Sequence, residues 1–464
     1  MLFNSFEFVL FFLPIVLVVY FTLIRVGRDL WARCWLLVAS LFFYSWWNPI
    51  YLPLIIGSVT FNYVIGNSIK GSVNPMRRWW LVFGIAANLL LLGYFKYFDF
   101  FVENLNGLLE SDLPAFNIVL PLAISFFTFQ QIAYLVDSYR GETEGYTFLN
   151  YSLFVTFFPH LIAGPIVHHK SIIPQFVDKN NARFDSFNFS KGLYIFLMGL
   201  AKKVIIADTF AVLANSGYNQ TASLSFMDGW LTSLAYSFQL YFDFSGYSDM
   251  TIGIALLFNI NIAINFNSPY KAVSIQDFWR RWHITLSNFL RDYLYIPLGG
   301  SRVGEFNTLR NLMITFVLGG VWHGAGWTFV FWGFLHGTAL VVHRLWQKTG
   351  ARMSDWLGWL LTFTFVNFAW IFFRSETWGD AINVLDAMIG SHGFGFGDSR
   401  VLTNFTLIPM LAIGIVVLFY KNPPELARDF ATDRKHLWIM VGLAFVCLLF
   451  LNSVTANDFL YFDF

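Results

Sequence analysis

Two histidines, His283 and His323, stand forty residues apart in a chain that is otherwise mostly apolar. The first closes Trp279-Arg280-Arg281-Trp282-His283; the second lies in Gly319-Gly320-Val321-Trp322-His323-Gly324-Ala325-Gly326. Ionisable groups inside a bilayer cost roughly 2.5–3.5 kcal/mol on insertion scales, so they are kept where function needs them. Imidazole suits proton transfer near neutral pH. A basic, Trp-rich stretch leading to a Gly-walled histidine therefore suggests a buried acyl-transfer centre. The glycines would let an extended substrate chain pass close to backbone. The alternative is that they serve helix packing and the histidine bonds a neighbouring helix.

Arg280, Arg281 and Arg291 carry guanidinium groups suited to phosphate or carboxylate. With Trp279 and Trp322 they are candidates for holding a phosphate-bearing thioester donor. Anionic lipid headgroups, worth about 1 kcal/mol per arginine, are the competing ligand. Gln239 and Asp243 share a helix face at i, i+4 and call for Arg or Tyr partners on other helices, as structural bracing or, alternatively, as lining of the reaction tunnel. His160, His168 and His169 flank a helix break at Ala163-Gly164-Pro165 and read as surface groups, with the lining of a substrate path as the alternative. His336 and His343 share one helix face beside Arg344. No CxxC or HExxH pattern is present, so zinc chemistry has no support from motifs. Cys34 and Cys447 lie in apolar runs as packing residues.

These groups must be positioned by membrane helices. The 464 residues are 57% hydrophobic and 12% charged, against about 25% charged in soluble domains. Apolar runs at 8–24, 34–47, 51–69, 79–101, 117–139, 148–165, 190–213, 230–258, 308–320, 326–346, 357–373, 405–420 and 437–452 predict about eleven crossings. The short runs 34–47 and 308–320 read as partial, re-entrant pieces. Arg25, Arg28 and Arg33, then Lys70, Arg77 and Arg78, mark cytoplasmic loops. Lys421, Arg428, Arg434 and Lys435 mark another, so both termini are expected outside. Residues 259–311 form a long basic connection. Within it, 275–295 has the apolar spacing of one amphipathic helix in the cytoplasmic interface. The tail 453–464 ends in Phe459-Leu-Tyr461-Phe-Asp-Phe464. It reads as an interfacial anchor or as a segment folded back with the Tyr461 hydroxyl as acyl acceptor.

The strings QDFWRRWHITLSNFLRDYLYIPLGG, LGGVWHGAGWTFVFWGFLHG, LIAGPIVHH and YFDFSGYSDM resemble the membrane-bound O-acyltransferase family. The nearest likeness is to its bacterial branch of alginate, peptidoglycan and cellulose acetylation, with teichoic-acid D-alanyl transfer more distant. The resemblance runs over most of the chain. It implies one all-α domain over 1–464, a helical ring around a thin core with a funnel on each face. It also implies His323 as principal catalytic histidine with His283 as its polar partner. In D-alanylation a similar aromatic hexapeptide belongs to a separate small subunit; here it is fused to the chain end, which makes Tyr461 a candidate relay.

The expected activity is O-acetyl transfer from a cytoplasmic thioester, acetyl-CoA, to an outer polysaccharide in a bacterial inner membrane. Lipids, the polysaccharide and a secreted acetyltransferase are the expected partners. No permanently bound cofactor and no nucleic acid is expected. D-alanyl or other acyl transfer from a carrier protein is one rival. A non-catalytic transporter is the other, although the internal duplication common in transporters is not found.

Overall fold

In lipid, an apolar run must satisfy its backbone hydrogen bonds internally, and a helix does so locally. The computed structural model describes residues 1–73, 75–391, 393–394, 412–414, 421–451 and 459–460, and among these the regular structure is helical, with no strand. Five of the described helices are long and apolar enough to cross a membrane: Glu7–Arg25, Pro49–Gly71, Met76–Leu109, Asp355–Arg374 and Arg434–Leu451. The predicted span 405–420 lies outside the described residues except for 412–414. The chain divides into two units. One is Met1–Leu197, Tyr247–Ala263 and Ala431–Val441; the other is Met198–Gly246, Ile264–Phe430 and Gly442–Phe464.

In the first unit, helices Leu52–Gly71, Met76–Leu92 and Ile124–Arg140 pack on one another. Their buried seam is polar. Asn62 Nδ2 donates to Gln131 Oε1 at 2.6 Å, Asn88 Nδ2 donates to Asn62 Oδ1 at 2.7 Å, and Gln131 Nε2 donates to Ser58 Oγ at 3.1 Å. Where lipid offers no hydrophobic drive, such bonds and small residues hold helices together. Gly66 and Gly84 leave room for Tyr134 and Leu135 along the same seam.

Two predicted spans are broken. The run 148–165 divides into Phe148–Thr156 and Phe158–Leu161. Pro159, near the start of the second piece, lacks the N–H that would continue the first. The freed groups find partners: Phe158 N donates to Ser40 Oγ at 3.1 Å, and Thr251 Oγ1 donates to Pro159 O at 2.8 Å. The run 308–320 departs the other way. It belongs to a continuous 19-residue helix, Glu305–His323, about 28 Å long at 1.5 Å per residue, longer than the apolar run alone. The run 34–47 lies in the 17-residue helix Asp29–Ser45.

The predicted span 190–213 is interrupted in its second half by a wide turn, Lys202–Ala207, before helix Asp208–Tyr218. Lys203 explains it. Residues five apart on a regular helix point about 140° away from each other, yet Lys203 Nζ reaches Asp208 Oδ1 at 2.8 Å. The widened turn brings them to one face. The same ammonium lies 2.8 Å from Asp243 Oδ1 on helix Phe226–Leu257. All three side chains are buried, so the expected Arg or Tyr partner of Asp243 is a lysine instead. Removing one member of a buried ion group strands the others, at about 3–5 kcal/mol. Lys203→Met should therefore lose that much stability against thermal or denaturant unfolding in detergent.

Candidate active site

His323 is the last residue of helix Glu305–His323, which packs against Trp327–Lys348 as a hairpin. Both ends of the hairpin are fixed. At one end Arg344 donates to Glu305 through Nε at 3.0 Å and Nη2 at 3.2 Å, and Lys348 Nζ lies 2.8 Å from Glu305 Oε2. At the other end Gly320 faces Gly333. A Cβ on Gly320 would drive into Phe329 O and lie 3.0 Å from Gly333 Cα; one on Gly333 would drive into Phe316 O. Gly320 therefore allows helix contact rather than passage of a substrate chain, and Gly324 is likewise filled by the Phe329 ring. Over-packing a tight contact costs about 1–3 kcal/mol. Gly333→Val should lower the unfolding midpoint and, by spreading the hairpin, reduce turnover in the same preparation.

The His323 side chain is 3% exposed. Its ring sits 4.9 Å from Trp322, 5.0 Å from Trp332 and 5.2 Å from Phe373, centroid to centroid. Three aromatic walls keep water from an imidazole at a helix end.

The expected single helix over 275–295 does not form. It divides into Ile275–Arg281 and Ile284–Leu290, followed by a wide turn Arg291–Tyr295. The break falls on Trp282 and His283. His283 has φ 44° and ψ 53°, the left-handed region, which costs a residue with a Cβ roughly 1–2 kcal/mol. Such strain clusters at functional sites. His283 is fully buried, and its Nδ1 lies 3.2 Å from Asn265 Oδ1, which also accepts from Thr285 N and Thr285 Oγ1. Burial pushes its pKa down to about 3, so the ring is neutral at physiological pH. The Phe244 ring packs on it at 4.8 Å and Trp322 at 6.4 Å. Trp322 thus contacts both histidines.

Trp279, Arg280, Ser287, Asn288 and Arg291 line a cavity of about 420 Å³. Arg281 and Trp322 are not among its lining residues. Arg281 Nε pairs with Asp277 Oδ1 at 2.9 Å, whereas Trp322 lies between the histidines. Arg291 makes a two-pronged pair with Asp292, at 2.7 and 3.0 Å. Trp279 connects the cavity to the histidine region. Its Nε1 donates to His336 Nδ1 at 3.2 Å, its ring lies 5.9 Å from Trp332, and Trp332 touches His323.

His336 joins the same aromatic cluster. It is fully buried, 4.7 Å from the Trp332 ring. His160 and His169 are also buried rather than surface groups, at 1% and 0% exposure. Asn265 and Lys203 were missed, although a lysine within an apolar run was a readable sign of a buried pair.

At the chain end, Phe459 and Leu460 are described. Phe459 is buried, with its ring 4.8 Å from Lys203 Nζ, and Leu460 N donates to Asp243 Oδ2 at 3.0 Å. The buried ion group therefore anchors the start of the aromatic hexapeptide. Tyr461 lies outside the described residues.

A helical membrane protein with paired histidines in an aromatic enclosure matches the family model for membrane-bound O-acyltransferases over residues 118–376. The chain belongs to that family and is an O-acyltransferase, a multi-pass membrane enzyme. It is 46% identical to a peptidoglycan O-acetyltransferase of Helicobacter pylori, over all of this chain and 98% of that one. It is 39% identical to a probable alginate O-acetylase of Pseudomonas putida, over the full length of both. A teichoic acid D-alanyltransferase of Bacillus subtilis is 25% identical over 57% of this chain and 71% of its own.

Proposed function

We propose that the protein moves an acetyl group from a cytoplasmic thioester, acetyl-CoA, to a hydroxyl of a cell-surface polysaccharide. The observation that carries the reading is the His323 enclosure, whose wall Trp332 packs on Trp279 of the arginine-lined cavity. The cavity's size falls in the usual range for small-molecule sites, and Arg280 and Arg291 offer donors to the phosphates of the thioester carrier. His323 takes the proton from the attacking hydroxyl. The oxygen then bonds the acetyl carbon, the carbon–sulfur bond breaks, and His323 returns the proton to the departing thiolate. Neutral His283, its Nδ1–H held by Asn265 Oδ1, offers Nε2 as a hydrogen-bond acceptor that orients the acyl donor. The aromatic walls exclude water, which suppresses hydrolysis of the thioester.

The acceptor class we favour is the peptidoglycan glycan, because the peptidoglycan relative is 46% identical over the whole chain; an alginate-type or cellulose exopolysaccharide is the second reading. Tyr461 receives the acetyl first, and a secreted partner enzyme carries it to polymer. The anchoring of Phe459 and Leu460 supports this step. We place the chain in the bacterial inner membrane with both termini outside. About eleven crossings then form a ring around a thin core, with a funnel on each face. Acyl transfer from a carrier protein and transport without chemistry are the rivals. Purified enzyme given acetyl-CoA in the presence of acceptor should release free thiol, while an acetylated carrier protein should not substitute for it. Thiol release from the carrier alone would replace this donor assignment.

A further inference from the structure

We propose that Asp137, His168 and His169 form a binding site for one divalent transition-metal ion, zinc being the best match. All three belong to the first unit, and the histidine pair discussed above belongs to the second. Asp137, with 1% exposure, lies in the last turn of helix Ile124–Arg140; His168 caps helix His169–Val177 and His169 begins it. The two imidazoles converge on one oxygen. His169 Nε2 lies 2.9 Å and His168 Nε2 3.1 Å from Asp137 Oδ2, and one ligand atom from each residue lies within 4.8 Å of the others.

Three such atoms around an ion at about 2.0–2.1 Å each sit roughly 3.3 Å apart, the edge of a tetrahedron, close to the two nitrogen–oxygen distances seen here. Two nitrogens and a carboxylate, with further positions open, suit zinc or a similar borderline ion rather than magnesium or calcium. Outer partners are already in place. Arg140 Nη1 holds Asp137 Oδ1 at 3.0 Å, leaving Oδ2 to face the histidines. The Tyr146 hydroxyl lies 2.9 Å from His169 Nδ1, where it fixes the ring, as the hydrogen-bonded back of a ligating histidine requires. Tyr146 is itself tethered, since Tyr63 Oη donates to its carbonyl at 3.1 Å. His168 has 39% of its side chain exposed, which gives an ion a way in.

Binding has two opposing terms. Coordination through Nε2 moves the imidazole proton to Nδ1. At His169 the Tyr146 hydroxyl accepts it by turning. At His168 it displaces the exposed 3.2 Å bond from Lys170 N, whose N–H then turns to water. Arg140 and the Lys170–Glu142 pair add a nearby cation and a neutral pair, and Asp137 supplies the compensating charge. With the ion in place, the end of Ile124–Arg140, the Tyr146 loop and the start of His169–Val177 are tied at one point.

The test uses full-length protein purified without a polyhistidine tag, stripped with chelator and titrated with Co²⁺ and Zn²⁺. One Co²⁺ per chain should bind with the strong visible absorption of a low-coordinate site, and Zn²⁺ should displace it. Asp137→Asn, His169→Gln and His168→Ala should abolish the signal, the last at an exposed position that leaves folding intact. Tyr146→Phe should weaken affinity about 10- to 100-fold, and Glu142→Gln should leave it unchanged. Wild-type protein that leaves Co²⁺ with its aqueous spectrum, or a His168→Ala chain that binds as well as wild type, overturns the proposal. The three residues would then be a hydrogen-bonded brace.

Discussion

Replacing His323 with alanine is expected to abolish polymer O-acetylation while the protein still reaches the membrane in normal amount. Loss of a general base alone removes about 10²–10⁴ of rate. The ring also fills space between Trp322, Trp332 and Phe373, so alanine leaves a cavity as well. His323→Phe separates the two effects, because it keeps an aromatic ring and removes the nitrogens. Both variants should be inactive, with the phenylalanine variant close to wild type in thermal stability. Acetylated polymer from cells carrying His323→Phe would remove this residue from the chemistry.

The second large effect is expected at the chain end. Tyr461→Phe deletes one hydroxyl and keeps an aromatic side chain for anchoring. If the tyrosine carries the acetyl group between donor and polymer, polymer acetylation should fall to background. Intact-mass measurement of wild-type protein after incubation with acetyl-CoA should find one added acetyl, absent from Tyr461→Phe. The neighbouring contacts give an internal control. Lys203→Met disturbs the seat of Phe459 and Leu460, so it should reduce acetylation of Tyr461 along with stability. A Tyr461→Phe chain with unimpaired polymer acetylation would leave the tail as an anchor and make transfer direct.

Much of this site was legible in the sequence because its signals are local. His283 and His323 stood out as costly side chains in an apolar chain, and Gly320 announced a close approach. What that approach serves was not legible. Its occupant is the backbone of Trp327–Lys348, and only the paired helices reveal it. The period of 275–295 also read correctly as amphipathic, since Phe278, Trp279, Trp282, Leu286 and Leu290 are all buried. The break at His283 was hidden, because a left-handed histidine is fixed by tertiary bonds to Asn265 rather than by a glycine or proline. The arginines divide for a similar reason. Arg281 finds Asp277 one turn back, a pairing visible at i, i+4, whereas membership of Arg280 and Arg291 in one cavity depends on how two short helices meet. Lys203 tells the same story, as its partners lie five and forty residues away and require a widened turn.

The central claim is that this chain performs the acetyl transfer itself, at His323. Purified protein in liposomes, supplied with acetyl-labelled acetyl-CoA on one side and glycan acceptor with the secreted partner on the other, tests it most directly. The account predicts label bound covalently to the wild-type chain and then to the glycan, with neither in His323→Phe. Equal labelling of glycan by the two proteins, or movement of label across the membrane with no covalent adduct and no thiol released, would contradict it.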